Sequence, residues 1–464
     1  MGKKRTGGSR QQELIPRARE TRSIQIPVNH RLAVMTDEID WTEFEELIQS
    51  IRMSKLKSTA GRPPHLRVLA GAVTFRATRK MTYLETEDQI RHYAPARYLC
   101  GLTEADWSPD ANTIQDFEQL MGEEGMKQLN EYVVKWAVEE NLADTNLVVA
   151  DTTAQEAAIP YPNEVGHMAA FLNSVLSASN TAGKALSGFV KSVGKKVKEA
   201  KQKIRAHRLF ADTKEAKKKL TSELTRIVEN INMELGRELQ AGRQVGQRMV
   251  KQGKVAWGKL NALNGTMTKL IPQIRYWLRT GRVATGKIIN IHIPELYSIV
   301  RGKVGKKVEF GLKWGFVRLR GGFILATLAH KQASMADTEF AITAVDQHIA
   351  LFGKPPKSYA YDRGGYSKDN IGTLKAKGVK EVGLAPRGKA KWAVGKKAKE
   401  KLISERAQVE GSIGTVKNAK YGFNRPNAHS VEMMGVCGQR AALGLNLNKL
   451  IRGIAERNKM VLVG

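Results

Sequence analysis

From residue 37 onward the apolar positions recur at helical spacing. In WTEFEELIQSIRM, which follows Asp37 and Asp40, Trp41, Phe44, Leu47 and Ile51 fall on one face, the period of an amphipathic helix. GRPP at 61–64 breaks the chain, and Pro64 opens the next stretch, HLRVLAGAVTFRATRK. YLETEDQIRHYA follows Thr82, and NTIQDFEQLMGEEGMKQLNEYVVKWAVEEN runs from a cap expected at Asn112. Residues 35–140 therefore read as an all-helical domain.

The period then changes. NLVVAD at 146–151 is a short apolar run that stops in a carboxylate, as a buried strand of an α/β sheet does where its C-terminal edge carries a site. Between 167 and 280 Lys, Ala, Glu and Leu dominate, and Leu220, Leu224, Ile227, Ile231 and Leu235 predict an amphipathic, coiled-coil-like hairpin. Strand composition returns at KIINIHI (287–293), VEFGLKWGFVRL (308–319), FILATLA (323–329), SYAY before Asp362, and KEVGLAP (380–386). A helix is expected from Asp337 to the stop at Gly353, and two more close the chain, KLISERAQVEGSIGTVKNAK and SVEMMGVCGQRAALGLNLNKLIRGIAERN.

Composition narrows the classes. Hydrophobic residues are 42% of the 464, enough for real cores, and the longest apolar runs are strand-sized, too short to span a membrane. Cys100 and Cys437 are isolated, which fits a reducing, cytoplasmic compartment and excludes a disulfide framework. Lys and Arg number 76 against 45 Asp and Glu, a formal charge of +31, and such an excess attracts polyanions, nucleic acid above all. Residues 1–34 are expected to form a basic flexible arm. The lysines and arginines from 195 to 208 read either as a solvated helix face or as contacts to a nucleic-acid backbone.

Against that charge, three carboxylates stand out. Asp151 and Asp362 end separate strands, and Glu410 lies on a helix where Arg406, Glu410, Ile413 and Lys417 share one side. Two strand-end aspartates plus a helical glutamate are what a two-metal phosphoryl-transfer site requires, since Mg²⁺ or Mn²⁺ takes hard oxygen ligands. The glutamate with its flanking cations also fits a surface salt-bridge ladder.

Arg406, Glu410 and Lys417 reproduce R-x3-E-x6-K, the signature around the catalytic glutamate of bacterial insertion-sequence DDE transposases of the family four and five assemblage. VVADTTAQEAAIPYPNE resembles the first-aspartate segment of those proteins, YDRGGYSKDN the second, and IVRGKVGKKVEFGLKWG the strand region between them. DWTEFEELI through GRPPHLRVLAGAV to NTIQDFEQLMGEEG resembles their amino-terminal domain. The fuller signature has a tyrosine where this chain has Ile403.

The resemblance implies an RNase H-like catalytic domain, with a mixed five-stranded sheet, over 141–166 and 281–455, an all-α amino-terminal DNA-binding domain and a helical insertion at 167–280. It implies that Asp151, Asp362 and Glu410 are both catalytic and metal-binding, holding two Mg²⁺ or Mn²⁺ ions for cleavage at element ends and strand transfer into target DNA. Arg406 and Lys417 would hold phosphates, with Arg363, Arg387, Lys389, Lys391 and Trp392 as further DNA contacts. The implied partners are double-stranded terminal repeats, target DNA and a second copy in a synaptic homodimer, with no membrane, in a bacterial cytoplasm at the nucleoid. The alternatives are a catalytically silent DNA-binding or repressor derivative, and a nuclease of the same fold.

Overall fold

The computed structural model describes residues 26–56, 64–102, 108–300, 308–329, 335–386, 388 and 390–463. Contacts divide the chain into two units, Met1–Ala158 with Leu312–Gly464, and Ile159–Gly311. Among the described residues no helix is long and apolar enough to cross a membrane.

The first unit opens with helices α1 (Arg31–Glu38), α2 (Trp41–Lys55), α3 (Leu66–Thr78), α4 (Tyr83–His92), α5 (Ala94–Leu99) and α6 (Ala111–Glu139). Helix α1 takes in residues assigned to the arm from sequence, because Leu32, Ala33 and Val34 are buried. Asp40 caps α2 by accepting from the Thr42 and Glu43 N–H groups, and Thr82 with Glu85 forms a capping box on α4. Helix α6 is capped by Asp110, two residues before the expected Asn112, and kinks at Gly122, whose φ of 61° suits glycine.

The strands are β1 (Asp144–Glu156), β2 (Tyr297–Val300), β3 (Val308–Arg320), β4 (Ile324–Leu328), β5 (Ser358–Tyr361) and β6 (Glu381–Leu384). They form a six-stranded mixed sheet where five strands were expected, in the order β2-β3-β1-β5-β6 with β4 paired to β3. The additional strand, β2, pairs with residues 308–311 in the second unit, which leaves five strands in the first. Strands β1 and β5 are parallel, with Val149 opposite Ala360, and β5 is parallel to β6, while β3 and β4 form an antiparallel pair. Helices α12 (Asp337–Phe352), α13 (Lys368–Ala376), α14 (Lys396–Val416) and α15 (Val431–Arg457) complete this unit.

One apolar cluster joins Phe44, Val73, Phe75 and Leu129 of the early helices to Val148, Val317, Tyr359 and Leu443. Helix α15, buried along most of its length, is the shared partner: it packs on α3, α6 and β4. At its crossing with α3 a Cβ on Gly444 would stand 1.7 Å from the Ala77 carbonyl oxygen, so only glycine permits that approach. Glu118, fully buried on α6, is matched by Arg76 at 2.7 Å, Arg440 at 2.8 Å and the Tyr83 hydroxyl at 2.9 Å. Such a group needs its full set of partners to stay ionised.

The second unit contains α7 (Glu164–Ala182), α8 (Ser187–Leu209), α9 (Lys214–Ala241), the short α10 (Arg243–Arg248) and α11 (Lys251–Thr280). Here four helices, rather than the two of a hairpin, close a ring of contacts, α7 to α8 to α9 to α11 and back to α7. Lys203 pairs with Glu223 at 2.5 Å and Lys196 with Glu234, so α8 and α9 run antiparallel. Leu224, Ile227, Ile231 and Leu235 face the bundle core, as their spacing predicts, whereas Leu220 is half-buried. KIINIHI forms no strand: Asn290 accepts from the His292 and Ile293 N–H groups in a side-chain turn, and Ile288 and Ile291 pack into the bundle's apolar cluster.

Candidate active site

Strand β1 lies between β3 and β5 and is lined by Leu147, Val148, Val149 and Ala150, all buried. It positions Asp151, but it does not stop there, since the strand continues to Glu156 and the aspartate sits within it. The Asp151 Oδ1 accepts from the Thr152 N–H at 2.7 Å. Burial, and then the negative charges of Asp362, Asp337 and Glu410, raise its pKa to about 6, against the lowering effect of that N–H.

The neighbouring strand β5 delivers Asp362 one residue beyond its end, in a tight turn where Oδ1 accepts from the Gly364 N–H at 2.7 Å. The turn needs small residues. A Cβ on Gly364 would lie 2.7 Å from Asp337 Oδ2 and 2.9 Å from Asp362 Oδ1. Behind the turn Tyr359 and Tyr361 are buried with hydroxyls that find no hydrogen-bond partner, and burial together with the adjacent carboxylates pushes both phenols well above their ordinary range.

Asp337 is the residue that sequence reading missed as part of this site. It was legible only as the start of α12, where an acidic side chain in the first turn needs no further explanation. In the structure its Oδ1 accepts from the Thr152 hydroxyl at 2.9 Å and pairs with Lys313 Nζ at 2.7 Å, and its Oδ2 faces the Asp362 turn, which places it beside both aspartates. A carboxylate next to a strand lysine, separated by a loop, gives no fixed spacing that sequence could reveal.

Glu410 is exposed on α14, whose C-cap is Lys417, with Arg406 one turn earlier and half-buried. The helix is fixed by buried Arg318 of β3, which donates to Glu405 at 2.9 Å and to Gln408 at 2.5 Å. Arg363 is exposed in the turn after Asp362. Lys391 is exposed, and Trp392 is half-buried with the Lys399 ammonium 5.8 Å from its ring centroid. Arg387 and Lys389 lie outside the described residues.

Asp362, Asp337 and Glu410 stand within electrostatic reach of Asp151, yet among the described residues no three Asp, Glu, His or Cys side chains converge closely enough to hold a metal ion. Each aspartate has one oxygen turned to a donor from the chain: Asp151 to Thr152, Asp362 to Gly364, and Asp337 to Thr152 and Lys313. The donor chemistry nevertheless suits a hard divalent cation, being all oxygen and carrying an excess of negative charge that raises Asp151's proton affinity. Coordination would require these side chains to rotate from the positions they occupy.

Residues 20–120 match the family model described as Transposase domain (DUF772), which supports a transposase family and a transposition-related function for the chain. The described part of that match runs from α1 to the first third of α6. No characterised protein and no solved structure matches the chain significantly.

Proposed function

We propose that the chain is a DDE-type DNA transposase that cleaves a phosphodiester with water to free a 3′-hydroxyl and joins that hydroxyl to target DNA. The observation that carries this reading is that Asp362 and Glu410, distant along the chain, lie within electrostatic reach of Asp151 and raise its pKa. The strand order of the first unit, β4-β3-β1-β5-β6, supports an RNase H-like sheet, with an aspartate on the central strand, a second after the neighbouring parallel strand and a glutamate on the helix that follows β6. The transposase-domain match supports the class independently of these carboxylates.

In this reading Asp151, Asp362 and Glu410, with Asp337, would hold divalent ions. Such ions, when bound, stabilise the attacking and leaving oxygens of a phosphoryl transfer. The chain's own part is positioning. Arg406 offers a planar fork for a phosphate and Lys417 a point charge at the end of the same helix. Burial keeps Asp151 poorly solvated, which strengthens its charge toward a cation.

Asp151→Asn, Asp362→Asn and Glu410→Gln should each abolish Mg²⁺-dependent cleavage of a duplex that carries the DNA flanking the gene, and should leave duplex binding nearly intact. A variant that still cleaves removes its residue from the site. One second reading, a DNA-binding derivative without catalysis, is favoured by the lack of a converged ligand set among the described residues. Under that reading Mg²⁺ would leave the melting temperature of the wild-type chain unchanged.

A further inference from the structure

Away from the carboxylates, the first unit has a cavity whose charged lining is all positive. Arg31, Arg79 and Lys420, with His30, Leu32 and Thr78, surround a volume of about 340 Å³. Three remote stretches build it: the start of α1, the residue after α3, and the short turn of Ala419–Tyr421 that follows α14. The Lys80 N–H donates to the Lys420 carbonyl, joining the end of α3 to the Ala419–Tyr421 turn, and the Arg31 N–H donates to the Val463 carbonyl at 2.8 Å, anchoring the start of α1.

Among the described residues the cations have no paired counter-charge. Arg31 Nε is buried without a hydrogen-bond partner. Arg79 and Lys420 are exposed at the rim and lie over rings, Phe75 at 5.2 Å and Tyr421 at 5.5 Å. Burial lowers the pKa of Arg31 and of Lys420. For Arg31 the positive charges of Arg452 and Arg79 add to this, partly offset by Tyr421; for Lys420 those of Arg31, Arg79 and Arg452 add. Among the described residues no carboxylate is paired with Arg31, Arg79, Lys420 or Arg452. His30 is not available to a ligand, since Nδ1 accepts from the Leu32 N–H at 3.2 Å and Nε2 meets the Tyr93 hydroxyl at 2.9 Å.

Uncompensated cations held together around a cavity are costly unless an anion from outside completes them. Guanidinium forks match the oxygens of a phosphate. Glu410 lies six residues before the end of α14 at Val416, on the order of 9 Å along the helix at a rise of about 1.5 Å per residue, and Lys420 lies in the turn beyond that end. The helical part alone is about three base steps of a duplex at ~3.4 Å each.

We propose that the pocket of Arg31, Arg79 and Lys420, with Arg452 beside it, binds a backbone phosphate of DNA a few steps away from the bond presented to the carboxylates. The choice of DNA as the phosphate's source rests on the function proposed above; the anion site itself does not.

The test uses the full chain, the double variant Arg31→Gln/Lys420→Gln, inorganic phosphate and a duplex oligonucleotide. Phosphate should raise the melting temperature of the wild-type chain and of Asp362→Asn, but not that of the double variant. Duplex affinity of the double variant should fall about tenfold near 0.1 M salt, and the slope of log affinity against log salt should become shallower by about one. A phosphate response that survives in the double variant overturns the site. A lost phosphate response with an unchanged duplex slope overturns DNA as the ligand and leaves a free phosphate as the occupant. If the double variant does not fold, Arg79→Gln at the exposed rim carries the same two measurements. Cleavage that persists in Asp151→Asn would count against the catalytic reading without altering either of them.

Discussion

The Thr152 hydroxyl donates to Asp337 Oδ1 across 2.9 Å, tying the residue that follows Asp151 on the central strand to the first turn of α12. Because Lys313 reaches the same oxygen, Asp337 is held by two donors and still leaves Oδ2 toward the Asp362 turn.

Asp337→Asn keeps the shape and removes the charge. In the proposed site it should weaken Mg²⁺ binding about tenfold or more, the scale on which metal sites respond to loss of supporting groups, as read from Mg²⁺-dependent thermal shifts without DNA. Thr152→Val should produce a smaller loss by freeing Asp337 on one side. Equal Mg²⁺ responses in Asp337→Asn and wild type would reduce the residue to a helix-start carboxylate.

Asp151 carries a stability cost, which the proposed metal site would account for. Its native pKa of about 6 exceeds the unfolded value near 3.9, so the native state binds more protons between those limits and stability falls as pH rises from 4 to 6. The full penalty, on the order of 2 to 3 kcal/mol, then persists above pH 6. Asp151→Asn should therefore melt higher than wild type at pH 7.5 without metal, and the two should converge at pH 4. A variant that melts lower at pH 7.5 would show that the carboxylate is stabilising in place.

The secondary structure was largely legible, and the reasons are local. Thr82 with Glu85 and the apolar run before Asp151 each carry a signal within a few residues, and each lies in the expected kind of element. Errors arose where a local pattern had two meanings. KIINIHI has strand composition, but Asn290 turns the backbone, and the isoleucines are buried by packing on helices. Residues 167–280 carry one amphipathic face per helix, which does not tell a hairpin from a four-helix bundle. Asp337, and the cation pocket drawn from positions 31, 79 and 420, depend on tertiary contacts that no sequence spacing encodes.

His167 of the bundle works in the opposite sense to Asp151. Burial, reinforced by Lys287 and partly offset by Glu164, lowers its pKa to about 4, and its Nε2 is buried without a partner. The unfolded chain takes up a proton below about 6.5 and the native state does not, so stability is full above that pH and is lost as pH falls toward 4, by about 3 kcal/mol at most. His167→Met should flatten the acid limb of melting temperature against pH between 6.5 and 4. An unchanged acid limb would place the titration elsewhere.

Glu410 depends on an anchor that never reaches the carboxylates. Arg318 is buried on β3, donates to Glu405 and Gln408 on α14, and leaves its Nε without a partner, so one guanidinium ties the helix that carries Glu410 to the sheet beside the apolar contacts of Leu402, Val409 and Ile413. Glu405→Gln removes the charge of that contact while keeping a hydrogen-bonding group. Leaving a buried cation unpaired typically costs about 3 to 5 kcal/mol, and the retained amide should hold the loss toward the lower end. In the proposed enzyme the cleavage rate should fall because Glu410 loses its fixed position, while duplex binding should change little, since Glu405 touches no proposed phosphate contact. Arg318→Lys, which keeps the charge but not the fork, should recover stability more than rate. If both variants cleave at the wild-type rate, the orientation of α14 does not depend on Arg318, and Glu410 must be positioned by the apolar contacts of Leu402, Val409 and Ile413 alone.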